Sequence, residues 1–236
     1  ANGCEAVAVV VLTGPTGVEA LITSSTDVSC FGESDGSATV VASGGSNSYT
    51  YLWSDGQTGA TANGLSAGEH TVTVTDSNGC QAVAVVEIDQ PTLLVVEEVD
   101  NNSVSCYEGN DGSATVVAAG VTPSYTYDWV GMGGVNDGPT MGGLAAGTYE
   151  VIVTDAEGCT ASINVTIEEP AEALSVMVMI GSHVSCFGGA DGMASAMVSG
   201  GTAPYHYLWS NGKTDQAVMG LTAGTYKVTV MDANGC

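Results

Sequence analysis

Arginine is absent from this 236-residue sequence, and lysine occurs only as Lys213 and Lys227. Set against 26 acidic side chains, that leaves a formal net charge of −24. Phosphate recognition needs clustered Lys and Arg, so nucleic-acid binding is excluded; anionic lipid surfaces are repelled and cations attracted. Long apolar runs are missing too. The longest, AVAVVVL at Ala6–Leu12, has the length of a strand, where a membrane helix needs roughly 18 residues, so no membrane insertion is expected. There is no basic n-region or signal peptide, as in mature or truncated material. No Cys-x-x-Cys occurs, and the three histidines, His70, His183 and His206, share no spacing, which argues against a zinc site. Charged residues make up 12% of the chain, while Gly alone numbers 33. With abundant Val, Thr, Ser and Ala, that mixture favours strands and turns.

The sequence is periodic. Asn-Gly-Cys or Glu-Gly-Cys ends at Cys4, Cys80, Cys159 and Cys236, in steps of 76, 79 and 77 residues. Val-Ser-Cys ends at Cys30, Cys106 and Cys186, and Tyr-x-Tyr-x-Trp at Trp53, Trp129 and Trp209. Leu65, Leu144 and Leu221 each open a Leu-x-Ala-Gly turn. Pro15, Pro91 and Pro170 follow alternating apolar runs and mark the junctions, since a residue without an N–H ends strand pairing. The expected organisation is therefore residues 1–13 as the last strand of a preceding repeat, 14–90 as repeat 1, 91–169 as repeat 2, and 170–236 as repeat 3, lacking its last strand.

Within each repeat the alternation has period two and no helical stripe appears. Tyr49, Tyr51 and Trp53 fall on one face of a strand, Ser54–Gly56 and Ser210–Gly212 are hairpin turns, and Thr148–Asp155 is a late strand opening on Tyr149. An aromatic at that place matches the tyrosine corner of immunoglobulin-like sandwiches, and His70 occupies it in the first repeat. The predicted fold is all-β, a tandem array of small immunoglobulin-like (PKD-like) β-sandwich modules.

Regularly repeated cysteines in such a chain point to disulfides and an oxidising, extracellular setting. Four strands are counted between Cys30 and Cys80, and four antiparallel passes bring the chain back to its starting end. The pairing expected is thus Cys30–Cys80, Cys106–Cys159 and Cys186–Cys236, with Cys4 left for a partner upstream. The alternative joins the first Cys of one module to the second Cys of the next, and becomes preferable if a crossing loop changes the parity. Free buried thiols are the third reading.

Taken together, VSCFGESDGSATVVASGG, YTYLWSDG, LSAG and TVTVTDSNGC resemble the SprB repeat, found in surface adhesins of gliding Bacteroidetes. The resemblance spans all three copies. His70, and the lengthened loop within Pro123–Gly138, depart from it locally. It implies a cell-surface protein exported by the type IX secretion system, built from many modules and serving adhesion or gliding motility.

Asp35, Asp111 and Asp191 precede Gly in a loop, and Asp76, Asp155 and Asp232 stand shortly before the second Cys. Placed at one end of the module by the four-strand count, with Glu33 or Glu108 nearby, they read either as a Ca²⁺ site or as turn caps. Turn capping is the expected role, no cofactor and no metal are expected, and Ca²⁺ is the one alternative. The aromatic strand reads as core or, alternatively, as a glycan platform, with His206 on the solvent side. Paired Glu97–Glu98 and Glu168–Glu169 lie on opposite faces beside junctions and read as solubility charges. No Ser–His–Asp or Cys–His arrangement recurs, so no enzyme is expected. Partners expected are neighbouring repeats of the same protein, self-assembly into fibres through a strand such as Glu5–Leu12, or a surface or glycan ligand.

Overall fold

Alternation becomes structure in the strand Gly36–Ser43: Gly36, Ala38 and Val40 are buried, while Thr39 and Val41 face out. Gly112–Ala119 and Gly192–Ser199 repeat that pattern residue for residue. A computed structural model describes residues 3–14, 16–46, 48–120, 124–134 and 136–236. Pro15 and part of the loop within Pro123–Gly138 lie outside the described residues. The described residues contain strands, turns and no helix, and hence no helix long and apolar enough to cross a membrane.

Three sandwiches follow one another in sequence. The first holds β1 (Glu19–Thr26), β2 (Gly36–Ser43), β3 (Tyr49–Trp53), β4 (Thr61–Leu65), β5 (Gly68–Asp76) and β6 (Gln81–Ile88). Its sheets are ordered β1-β2-β4 and β3-β5-β6, all pairs antiparallel. The second holds β7 (Val95–Asn102), β8 (Gly112–Ala119), β9 (Thr126–Trp129), β10 (Thr140–Leu144), β11 (Gly147–Thr154) and β12 (Thr160–Ile167), ordered β10-β8-β7 and β12-β11-β9. The third holds β13 (Ser175–Ser182), β14 (Gly192–Ser199), β15 (His206–Trp209), β16 (Ala217–Leu221) and β17 (Val228–Met231), ordered β13-β14-β16 and β15-β17. The chain divides into two compact units, one of Ala1–Leu94 with Gly120–Thr122, the other of Val95–Ala119 with Pro123–Cys236. The first sandwich belongs to the former and the other two to the latter.

Each core is built round one tryptophan. Trp53, Trp129 and Trp209 are buried, and each Nε1–H donates to a carbonyl of the following loop, Gly59, Gly138 and Asp215 respectively, at 2.9, 3.1 and 2.9 Å. Val72 and Val74, or Val151 and Val153, pack beside them from the late strand. The tyrosine-corner bonds form in two modules, Tyr149 Oη to the Ala145 carbonyl (3.0 Å) and Tyr226 Oη to that of Thr222 (3.1 Å). His70 Nε2 reaches the Ser66 carbonyl at 2.8 Å, so the imidazole replaces the phenol without losing the contact.

The direction of the strands decides where the cysteines go. At the start of β2, the space beside Gly36 is filled by Ile88 of β6, which pairs with Gly68 at the start of β5. Just past the end of β2, the Ser46 N–H donates to Asp76 at the end of β5. Strands β2 and β5 therefore run the same way. Because β4 is antiparallel to β2 and β3 to β5, β3 and β4 also run the same way as each other. They are two halves of one pass that changes sheets after Trp53, which pairs with Val72 midway along β5. Cys30 and Cys80 are separated by three passes, an odd number, and stand at opposite ends of the sandwich.

Candidate functional site

The chemistry-bearing residues gather in two loops per module. In the first-cysteine loop, the Ser29 N–H and Oγ–H donate to Asp35 Oδ1 and Oδ2 at 2.9 and 2.6 Å. Ser105 makes the same pair of bonds to Asp111, and the Ser185 N–H donates to Asp191 at 3.0 Å. Each carboxylate closes a small loop around a cysteine. Hydrogen bonds from the serine hydroxyl, then the serine N–H, hold Asp35, Asp111 and Asp191 below the ordinary aspartate pKa.

In the second-cysteine turn, the buried Asp76 accepts three N–H groups, from Asn78 (2.9 Å), Cys80 (2.8 Å) and Ser46 (3.0 Å). Asp232 does the same with Asn234, Cys236 and Thr202 at 3.0, 2.9 and 2.8 Å. The N–H groups of Ser46 and Thr202 are the chief reason that Asp76 and Asp232 stay below the ordinary pKa. Asp155 Oδ1 accepts from Glu157 and Cys159, while its buried Oδ2 has no partner among the described residues. Residues 121–123, which follow β8 as Ser46 and Thr202 follow β2 and β14, lie outside them.

These loops meet between the second and third modules. Cys106, in the first-cysteine loop of one, is bonded to Cys236, in the second-cysteine turn of the other, with a Cα–Cα distance of 5.8 Å. Asn234 Nδ2 donates to the Ser105 carbonyl at 2.9 Å beside it. Cys30 and Cys159 are disulfide-bonded as well, whereas Cys4, Cys80 and Cys186 are exposed free thiols.

The within-module pairing is therefore corrected. Cys30–Cys80, Cys106–Cys159 and Cys186–Cys236 do not form, because Cys80 and Cys186 are free and Cys106 holds Cys236. A sandwich whose strands run eight residues is roughly 25 Å long, whereas bridged cysteines need Cα atoms within about 7 Å. Counting β3 and β4 as two passes instead of one produced the wrong parity. The same error put the two groups of aspartates at one end, and they stand at opposite ends. Their oxygens serve the N–H groups of their own loops, and among the described residues no three His, Cys, Asp or Glu side chains converge as metal ligands.

The tryptophans of the aromatic strands are core, and His206 is exposed on the opposite side. Glu98 accepts from Asn101, and Glu169 from the Glu108 N–H, ordinary junction contacts. Sequence reasoning overlooked Ser29, Ser105 and Ser185 as loop-closing donors, although Ser-Cys followed by Asp at a fixed spacing was there to be seen. It also overlooked a groove in the third module, between β13, β14 and the segment before β17. Val178, Ile180, Met193, Trp209, Leu221 and Tyr226 line it, and it encloses about 550 Å³.

The SprB repeat family model matches the chain at residues 22–58, 100–134 and 182–214. No curated protein matches it. Among solved structures it is similar to three N-terminal domains of the bacteriophage RB49 highly immunogenic outer capsid protein, at 14% identity and a TM-score of 0.38, over 93% of this chain and 84% of that one. It is also similar to Sidekick-1 immunoglobulin domains 1–5, at 11% identity and a TM-score of 0.32, over 92% of this chain and 56% of that one. Extracellular domains 3–5 of Drosophila OTK give 11% identity and a TM-score of 0.30, over 84% and 87%.

Proposed function

From the matches of the SprB repeat family model at three places in the chain, we propose that it is a non-enzymatic extracellular segment of a cell-surface adhesin or stalk, which extends from the cell and supports adhesion or gliding motility by transmitting force. The observation that carries this reading is the Cys106–Cys236 bond, which spans a sequence separation of 130 residues. Tension applied at Cys236 passes through sulfur to Cys106, so the main chain between them, which carries β8 to β17, is relieved of load. A stalk built this way keeps its modules folded under pull. Disulfide chemistry further suits an oxidising compartment, and the net charge of −24 keeps a Val-rich β-protein soluble there.

Single-molecule pulling from handles at the two termini tests it. In the oxidised protein the 106–236 segment should contribute no unfolding extension. After reduction, unfolding should release roughly 450 Å of additional contour length, at about 3.5 Å per residue. Equal extension with and without reductant refutes the force-transmitting role.

A further inference from the structure

Six of the eight methionines, all but Met132 and Met141, lie in the third module, and five of those six stand on one face of its sheet β13-β14-β16. The register fixes that face. Ala194 and Ala196 of β14 are buried in the core, so Met193, Ser195 and Met197, which alternate with them, point outward. Cross-strand partners share a face, which adds Met177 opposite Met197, Met179 and Ala217 opposite Ser195, and Met219 opposite Met193. Met177, Met179, Met197 and Met219 are 68, 50, 53 and 60% exposed. Met193 is half-buried, its Sδ lying 2.8 Å from where a Cβ on Gly181 would stand, at the bulge of β13.

The other two modules fill the same places differently. Strands β13, β14 and β16 correspond one for one to β1, β2 and β4, and to β7, β8 and β10, so the same surface exists in all three. The first module sets Leu21 opposite Val41, Thr39 opposite Thr61 and Ser37 opposite Asn63. The second sets Glu97 opposite Val117, Thr115 opposite Thr140 and Ser113 opposite Gly142. Exposure does not distinguish the third face, since Leu21 and Val41 are 65 and 50% exposed; its atoms do. Strands form more readily from Val and Thr than from Met, and an outward position has no core gap for Met to fill. What Met adds over Leu, Val and Thr is a polarisable thioether sulfur that is never protonated. No carboxylate shares the face.

We propose that Met177, Met179 and Met197 form a thioether site for a soft monovalent cation, Cu(I) or its counterpart Ag(I). This goes beyond the force-transmitting reading and stands independently of it. Met177 and Met197 are directly opposite, with Cβ atoms roughly 5 Å apart, and Met179 is diagonal to Met197 at roughly 7–8 Å. Unbranched side chains with three rotatable bonds swing their sulfurs inward from that triangle and close round one ion. Neutral thioethers suit Cu(I), whereas Zn²⁺ is held by thiolate, imidazole or carboxylate and Ca²⁺ by oxygen. Because no ligand has a proton to lose, the site keeps its affinity in mild acid, where thiolate and imidazole sites fail. The net charge of −24 draws cations to the surface. The remaining pair, Met193 and Met219, is a poorer place for a cation, because the Lys213 ammonium donates to the Met219 carbonyl beside it.

The test uses the whole chain with its exposed thiols removed as Cys4→Ser, Cys80→Ser and Cys186→Ser, so that no thiolate competes for a soft metal. Silver nitrate is titrated in chloride-free buffer by calorimetry, and isotope-labelled methionine methyls are followed by NMR. One equivalent of Ag(I) should bind and shift the methyls of Met177, Met179 and Met197 together, leaving those of Met132, Met141 and Met231 in place. Affinity should be the same in mild acid as at neutral pH, and Zn²⁺ should shift none of them. Met177→Leu with Met197→Val copies the Leu21–Val41 pair of the first module, so the sheet keeps its fold, and it should abolish binding. Met219→Asn, which copies Asn63, should leave binding intact. No methyl shift in excess Ag(I) overturns the proposal. So do equal shifts at all the methionines, shifts confined to Met193 and Met219, and undiminished binding by the Leu–Val variant.

Discussion

Replacing Cys106 and Cys236 together by Ser tests the assigned cross-link most directly. Both side chains are half-buried, so serine fits without a cavity, and the effect should come from the lost constraint. The relevant loop is not the whole span between them. While the second module remains folded, its chain exit is held beside Cys106, because the Val104 N–H bonds the Glu168 carbonyl at 2.8 Å. Unfolding the third module therefore frees only residues 168–236, roughly 70 residues, and closing a loop of that length is worth roughly 4 kcal/mol in the chain-entropy model. For a module of this size each kcal/mol moves Tm by about 4–8 °C, so the double variant should lose on the order of 20 °C in the third module. One tryptophan per core makes the readout local. In a background where Trp53 and Trp129 are Phe, Trp209 fluorescence follows the third module alone. A fall of only a few degrees, or an equal fall on replacing Cys80 and Cys186, would refute the assigned pairing.

Acid should destabilise the protein through the loop aspartates. Their folded pKa values are depressed, so the stability they contribute is present above the ordinary aspartate pKa of 3.8 and disappears as pH falls through the lower folded values. Plots of Tm against pH should fall steeply below about pH 4, and Asp76→Asn should flatten that slope while lowering Tm at neutral pH. Gly112→Ala should cost about 1–3 kcal/mol by overpacking against Ile167, more than Gly192→Ala, where no isoleucine stands; denaturant midpoints compare them. His70→Tyr should leave stability nearly unchanged, because a phenol makes that contact in the other modules, and His70→Ala should lose about 1 kcal/mol.

Most of the fold was legible because period-two alternation and turn residues act locally. Gly36-Ser-Ala38-Thr-Val40 declares its buried face without reference to anything distant, and Tyr149 and His70 declare the corner. The cysteine partners were not legible, because they depend on the direction of every intervening strand. The connection from Trp53 to Thr61 looks like one more hairpin in sequence. In three dimensions it passes the chain from the sheet of β5 to the sheet of β2 without reversing it, since β3 and β4 each pair antiparallel to strands that run the same way. One unreversed crossing moves Cys80 by the full length of a sandwich. The physical consequence is larger than a change of partner. Had the bond closed within a module, it would have stabilised each sandwich separately. Placed between the second and third modules, as Cys106 and Cys236 are, the same two sulfur atoms tie two cores into one cross-linked unit, and Asp111 and Asp232 shape the two loops that hold them.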